Sequence, residues 1–327
     1  MTSRERFRET MRYGRPDRVP LFDDGIRDDV LQAWQRQGLP AGCDLAADFH
    51  LDRRVEIMPD FEPHPRPTRW PTTRAELDAL EKTLDPLDPA RLPPDWADRV
   101  RSWQAGDIVR MLRVHRGFFL SMGVNDWQRF SDVIYLLKDD AELVRRMLAV
   151  TGRFAARLTE RVLADTAVEA AIFSEPIGGS DRPLISPAMY EDMILPGYEP
   201  VLEVLRRHKV ETIIFRTYAN VRPLLPAVIR HGLNCLWVSE ASHRAMDYRR
   251  LRRDFGRGLR LIGGIGMDAL RHDRRAIRRE IERKAPVLLA QGGYIPLASG
   301  RVRDDVPLAN YVYYRQRLAR AVCGEAS

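Results

Sequence analysis

The residues best suited to chemistry lie in one stretch of the chain, residues 210–226, where polar side chains follow an apolar run. Residues 212–215 are apolar or β-branched, which predicts a buried strand of a parallel sheet. Arg216 and Tyr218 follow at once, and Asn220 is predicted to cap the next helix. A guanidinium at this end of a strand can bind a carboxylate or phosphate through two parallel hydrogen bonds, and a tyrosine hydroxyl beside it can donate a proton.

Charged residues also follow other predicted strands, at the end where parallel α/β folds place their sites. The predicted proton-transfer residues are Tyr218, His115 and Glu175. The predicted substrate-binding residues are Arg216, Arg301, Arg113, Asp23, Arg27, Glu240 and Asn220. Positively charged groups there would hold an anion and stabilise negative charge that develops in a transition state.

A structural role is the alternative for the same residues. Arg216 and Arg301 would then pair with acids of the strand ends (Glu175, Asp181 or Glu240) and hold the site shut. A single histidine on a strand, such as His115, is more often a core or rim residue than a catalytic one. Both interpretations stay open at the level of sequence.

The elements that must position these residues alternate along the chain. Strands separated by helices of about 10–20 residues predict a parallel barrel or a doubly wound sheet. A (β/α)8 barrel takes about 250 residues, so 327 residues allow one barrel domain over the whole chain, with an N-terminal elaboration in roughly the first 100 residues. An amphipathic helix is predicted over 3–13, followed by a turn into a first strand.

Four short motifs carry a family resemblance. They are Arg216-Thr-Tyr-Ala-Asn220 before a helix, Pro16-Asp-Arg-Val-Pro20, Leu184-Ile-Ser-Pro187, and the glycine-rich turn at residues 263–266. Together they resemble the uroporphyrinogen decarboxylase superfamily, nearer its cobalamin-dependent methyltransferase branch than the decarboxylase itself. The resemblance covers nearly the whole chain and implies a (β/α)8 TIM barrel rather than a doubly wound sheet.

The resembling methyltransferases bind zinc where this chain has other residues. Their turn carries a histidine and a cysteine where Arg216 and Tyr218 stand here, and the third ligand position is Gly300. An arginine keeps its proton and repels a divalent ion. We therefore expect no metal and no cofactor of the chain's own. Zinc and a corrinoid enter only with the methyltransferase alternative.

Three functions follow from these residues and from the resemblance. The first is a metal-independent lyase, which performs decarboxylation or one-carbon chemistry on a small anionic, carboxylated molecule. The second is a methyltransferase or demethylase with a remodelled zinc site that works with a corrinoid protein. The third is a non-catalytic barrel that binds a ligand. A docked corrinoid protein requires a flat apolar rim around the mouth, whereas a stand-alone decarboxylase requires a closed basic pocket.

Composition narrows the class further. The net charge is +7, but the basic runs are mixed with acids and lack interleaved aromatic residues, so we expect no nucleic-acid binding. Three widely spaced cysteines favour a reducing compartment. The charged N-terminus and the lack of a run of about 18 apolar residues predict a cytoplasmic protein that does not bind membranes. A homodimer stays open.

Overall fold

The computed structural model describes residues 1–179, 181–239 and 245–324. Seven parallel strands form one sheet in which each strand pairs with the next along the chain. The strands are β1 Arg54–Ile57, β2 Val109–His115, β3 Ala170–Ser174, β4 Thr212–Thr217, β5 Cys235–Val238, β6 Arg260–Ile265 and β7 Tyr294–Ala298. The order β1 to β7 with helices between is the arrangement that the alternating pattern predicts.

Helices surround the sheet on its outer side and close one end. They are α1 Ser3–Met11, α2 Asp28–Gln35, α3 Leu45–Asp48, α4 Arg74–Glu81, α5 Trp96–Ala105, α6 Phe118–Ser121, α7 Trp127–Asp139, α8 Ala141–Asp165, α9 Pro187–Met189, α10 Leu195–Arg207, α11 Leu225–Arg230, α12 Tyr248–Phe255, α13 Met267–His272, α14 Arg274–Gln291 and α15 Leu308–Cys323. In the part of the chain that the structure describes, no helix is long and apolar enough to cross a bilayer.

The sheet curls around its inner face. The guanidinium carbon of Arg54 on β1 lies 5.1 Å from the ring centre of Trp237 on β5. In a flat sheet two residues four strands apart would be separated by about 19 Å. The inner face is an apolar cluster to which β2 to β7 and helix α1 contribute, and Trp237 lies within it.

The structure shows seven strands among the described residues, where the sequence predicts eight. The segment after Pro20, predicted as the first strand, lies beside β1 without forming a ladder. The Leu21 carbonyl accepts a hydrogen bond from the Asp52 amide (2.9 Å), and Ile26 forms a single bridge with Val302 beyond β7. A curled parallel α/β sheet of the TIM type is therefore present, whereas a complete eight-stranded barrel is not shown.

Helix α1 closes the amino-terminal end of the sheet. Phe7 is completely buried in the inner apolar cluster. Around it, Arg4 and Arg8 each form an ion pair of 2.9 Å with the buried Glu169 just before β3, and Arg12 pairs with Glu211 before β4. The other end of the sheet, where the strands terminate, is the end that carries the predicted site.

Candidate functional site at the carboxyl end of the sheet

Five charged side chains of alternating sign cross the inner face near the carboxyl end of the sheet. Asp24 Oδ1 lies 3.5 Å from Arg54 Nη2 and 2.8 Å from Arg216 Nη2. Glu56 Oε2 accepts from Arg216 Nη1 (2.9 Å), and Glu56 Oε1 accepts from Arg113 Nε (3.1 Å). We call the series Arg54–Asp24–Arg216–Glu56–Arg113 the interior ion chain.

Strand geometry places these residues on one face. Arg54 and Glu56 are two positions apart on β1, so both side chains face the same side of the sheet. Arg216 follows the inward-facing Ile214 by two residues on β4. Its guanidinium carbon lies 4.5 Å from the ring centre of Trp237, which gives a cation–π contact below the ion chain.

Burial and charge act in opposite directions on the two acids. The side chains of Asp24 and Arg216 are only 4% and 7% exposed. Burial raises the pKa of Asp24 above its usual value, although Arg216 and Arg54 act to lower it. Burial also acts to raise the pKa of Glu56, but Arg216 and Arg113 outweigh it and the pKa is lowered. Asp24 is therefore the acid of the ion chain that is easier to protonate.

Two further predicted residues lie near the ion chain. The Asp23 carbonyl accepts from Arg54 Nη2 (2.7 Å), and the Asp23 carboxylate accepts from the Tyr311 hydroxyl (2.7 Å). Tyr218 is 48% exposed at the rim, close enough to Arg216 to contribute to its pKa. The structure thus brings together Arg216, Arg113, Asp23 and Tyr218 from the predicted set.

His115 lies on the outer side of the sheet. The pairing of β2 with β3 shifts register between Arg113 and His115, and an extra residue of this kind turns the following side chain to the opposite face. The ring packs at 4.3 Å on Tyr198 of α10, and Nδ1 accepts from the Gly117 amide. Burial lowers the pKa of His115 to about 3, so the ring is neutral.

Glu175 also lies behind the sheet, because it is one residue past the inward-facing position Ser174. Its carboxylate is completely buried and accepts hydrogen bonds from the hydroxyls of Tyr190 (3.0 Å) and Tyr198 and from the Phe118 amide (2.9 Å). Burial raises the pKa of Glu175 to about 7. Neither His115 nor Glu175 contacts the interior ion chain.

The remaining predicted residues lie apart from the ion chain. Arg301 is exposed and has no hydrogen bond or ion pair among the described residues, while Arg27 pairs with Asp29 on the surface. Asn220 donates from Nδ2 to the Asp181 carbonyl (2.8 Å), which ties the loop after β4 to the loop after β3. Glu240 lies outside the described residues.

The predicted set of site residues lacks Asp24, Arg54, Glu56 and Trp237. Arg54 and Glu56 supply a cation and an acid of the ion chain, and Trp237 supplies the ring beneath it. The signal was present in β1, where charged residues alternate with Val55 and Ile57. Because one face of that strand carries only charged side chains, its partners had to be charged as well.

The residues at the positions where the resembling methyltransferases bind zinc do not fit a zinc ion. Arg216 occupies the first position and has both terminal nitrogens bound to Asp24 and Glu56, and the other two positions are Tyr218 and Gly300. Among residues 1–179, 181–239 and 245–324, no three histidine, cysteine or acidic residues are grouped as metal ligands. No step of the chemistry is therefore assigned to zinc.

Exposed apolar side chains concentrate around the mouth. The described residues include nine large hydrophobic or aromatic side chains that are exposed, and five of these lie at or shortly after the carboxyl ends of β1 to β4. We call these five the apolar rim: Met58, Leu120, Trp127, Leu184 and Tyr218, with exposures of 57%, 37%, 83%, 54% and 48%. Exposed large apolar side chains grouped at one end of a fold are typical of an interaction site.

Comparison with known proteins gives a similarity of fold. No family model matches the chain, and no curated protein matches its sequence. The solved structure of a methyltransferase from Methanosarcina mazei is similar over 98% of this chain and 99% of that chain, with a TM-score of 0.64 and 14% identity. At this identity the similarity establishes a shared fold over the whole length of both chains.

Proposed function

We propose that this protein is a methyltransferase that moves a methyl group between a small substrate at the mouth of the sheet and a corrinoid carried by a partner protein. The observation that carries the proposal is the apolar rim around a charged interior. A rim of this kind suits a docked protein, whereas a stand-alone decarboxylase would need a closed basic pocket. The fold shared with a methyltransferase over the whole chain supports the same choice.

The interior ion chain argues against the simple anion clamp of a decarboxylase. Arg216 has both terminal nitrogens bound to the chain's own acids, Asp24 and Glu56. The second predicted clamp residue, Arg301, is exposed and unpaired among the described residues. Two free guanidiniums facing one substrate, as the clamp requires, are therefore not arranged at this mouth.

Tyr218 is the proton donor of the proposed reaction. It stands on the rim beside Arg216, between the interior and the surface on which the partner docks. When the methyl group leaves the substrate, the bond from carbon to its heteroatom breaks and the heteroatom takes up a proton. A tyrosine hydroxyl at this position supplies that proton without a metal ion.

The proposal is tested with free cob(I)alamin as methyl acceptor, whose absorbance changes when it is methylated. An aryl methyl ether, a methylamine and a methyl thioether serve as donors. We expect one donor class to react, and Tyr218→Phe to slow the reaction. The matched control Tyr135→Phe changes a tyrosine that is similarly exposed (66%) but lies about two turns further along α7 than the rim residue Trp127, and it should have no effect.

Two results would contradict the proposal. Release of carbon dioxide from carboxylated substrates without methyl transfer would restore the decarboxylase. Saturable binding of the donors with no turnover would instead indicate the non-catalytic binding protein.

A charge on the rim, such as Leu184→Glu, should leave the reaction with free cobalamin intact but weaken the reaction with a corrinoid protein, because only the latter needs the docking surface.

A further inference from the structure

Three buried polar atoms beside the interior ion chain have no hydrogen-bond partner among the described residues. They are Arg216 Nε, Trp237 Nε1 and Ser239 Oγ. Arg216 and Trp237 are register partners on β4 and β5, and Ser239 is two residues beyond Trp237 and so faces the same side. Buried polar groups are nearly always paired, and unpaired ones that cluster in one place need an explanation.

The chemistry of these atoms specifies the group that would complete them. The guanidinium Nε–H and the indole Nε1–H can only donate, and the serine hydroxyl can donate as well. The complementary group is thus a hydrogen-bond acceptor with more than one lone pair. An ammonium group or another cation is excluded because it would bring further donors.

The charges of the mouth favour an anionic acceptor. The interior ion chain contains three guanidiniums and two carboxylates, and both of its ends, Arg54 and Arg113, are cationic. The next acid, Asp23, directs its carboxylate to Tyr311 and to the Gly25 amide rather than to these arginines. One more negative charge would balance the charges of the interior ion chain.

On the neighbouring strand, Ile262 is the register partner of Trp237, and two glycines follow it. β6 carries Gly263 and Gly264 at this level, with φ angles of 106° and 88° that favour glycine. A Cβ atom at Gly263 would lie 3.9 Å from Trp237 Cδ1, the carbon bonded to Nε1. The nearest side-chain atom to the same Cβ position is the Tyr248 hydroxyl oxygen, at 3.3 Å.

We propose that the substrate is a carboxylic acid whose carboxylate binds between Arg216 Nε, Trp237 Nε1 and Ser239 Oγ. The inference deepens the proposed function, on which it rests for the reaction: the methyl donor or acceptor is a small molecule that also carries a carboxylate. Trp237 and Ser239 take the place that sequence reasoning gave to Arg301. Arg113 and Glu56 form the more exposed end of the ion chain.

The experiment observes the Trp237 indole directly. The chain has six tryptophans, so a protein labelled with 15N at the indole gives six Nε1–H resonances, and Trp237→Phe identifies one of them. Acetate and benzoate are titrated against acetamide and benzamide at matched ionic strength, with inorganic phosphate as a third probe. We expect the carboxylates alone to shift the Trp237 resonance in a saturable way.

Two variants make the result specific. Ser239→Ala should weaken the binding of benzoate about tenfold or more, because a hydrogen bond to a charged group is lost. Trp96 is the matched control, since its Nε1 already donates to Asp165 Oδ2 (2.7 Å) far from the mouth. The Trp96 resonance should not move, and Trp96→Phe should leave the affinity for benzoate unchanged.

Several outcomes would overturn the inference. These are equal shifts with amides and carboxylates, a response to phosphate alone, or no response of the Trp237 resonance to any probe. The shift of the Trp237 resonance can be measured whether or not the protein transfers a methyl group. A saturable carboxylate shift in a protein that transfers no methyl group would contradict only the proposed function. Rapid methyl transfer from a donor without a carboxylate, unaffected by Ser239→Ala, would contradict only the inference.

Discussion

Arg216 is the residue on which both acids of the interior depend. Asp24 and Glu56 each hold one of its terminal nitrogens at 2.8–2.9 Å, and the three side chains are at most 15% exposed. Removing one member of a buried charge set leaves the others unpaired, which is far less favourable than never having buried them. The residue that sequence analysis selected for a ligand therefore has a structural role as well.

Arg216→Met should lower the free energy of unfolding by about 3–5 kcal/mol at neutral pH. The loss should shrink on acidification, because protonation of Asp24 and Glu56 removes the unpaired charges. Urea unfolding at several pH values measures it, with the exposed pair Arg99–Asp95 as control through Arg99→Met. If the variant were as stable as the wild type at neutral pH, the ion chain would have no structural role.

Tyr218→Phe should lower turnover and leave the stability of the fold unchanged. The side chain is half exposed and its hydroxyl makes no hydrogen bond among the described residues, so stability should not change. Turnover should fall about 10²–10⁴-fold, the usual contribution of a positioned proton donor. Steady-state kinetics decide the matter, and full activity in the folded variant would remove Tyr218 from the mechanism.

At the scale of elements, Glu175 joins three segments at the carboxyl end of the sheet. Its side chain holds the start of α6 through the Phe118 amide and α10 through Tyr198, and its carbonyl accepts from Thr217 at the end of β4. No cation contributes to its pKa, which burial raises to about 7. The hydroxyls of Tyr190 and Tyr198 contact its carboxylate, and His115 packs on Tyr198.

The raised pKa of Glu175 predicts a specific dependence of stability on pH. The folded protein holds the proton more tightly than the unfolded chain does. The stabilisation is therefore fully present below pH 4.5 and is lost as pH rises through about 7. The difference between a pKa of 4.5 in the unfolded chain and about 7 in the folded protein corresponds to about 3 kcal/mol of unfolding free energy. The wild type minus Glu175→Gln difference in unfolding free energy should fall across this range, and a flat difference would contradict the raised pKa.

Helices α8 and α10 contact each other at one point through two glycines, Gly152 and Gly197. A Cβ atom on Gly152 would lie 2.1 Å from the carbonyl oxygen of Gly197, so the two helices must separate to accept it. Gly152→Ala should lower the free energy of unfolding by about 1–3 kcal/mol, and the melting temperature should fall with it. Gly258→Ala is the matched control, because nothing lies within 4 Å of its Cβ position. Equal stability of the two variants would show that the helix contact is not tight.

At the scale of the whole molecule, sequence reasoning predicted the parallel α/β architecture and the end of the sheet that carries the charged site. Inward residues such as Arg216 follow from strand alternation. His115 could not be placed, because the irregularity in β2 inverts its direction and leaves no mark in composition. The partners of Arg216 come from the segment before α2 and from β1, and such pairings between distant segments are decided by the curl of the sheet.

The purified protein should contain no stoichiometric zinc. The three positions that would bind zinc in the resembling methyltransferases are Arg216, Tyr218 and Gly300, and none is a usual zinc ligand. Elemental analysis of protein purified without a metal-affinity step measures this. One zinc per chain, with activity lost on chelation and restored by zinc, would overturn the expectation.

Helix α1 also sets an order of events during synthesis. It leaves the ribosome before every strand of the sheet, yet its partners come late: Arg12 pairs with Glu211, and the Met11 carbonyl accepts from Arg260, 249 residues further on. Until β6 has emerged, the apolar side of α1 with Phe7 has no complete binding site. Contacts of such long sequence separation slow folding and leave apolar surface exposed to aggregation. The apolar side of α1 is therefore exposed for most of the synthesis of the sheet.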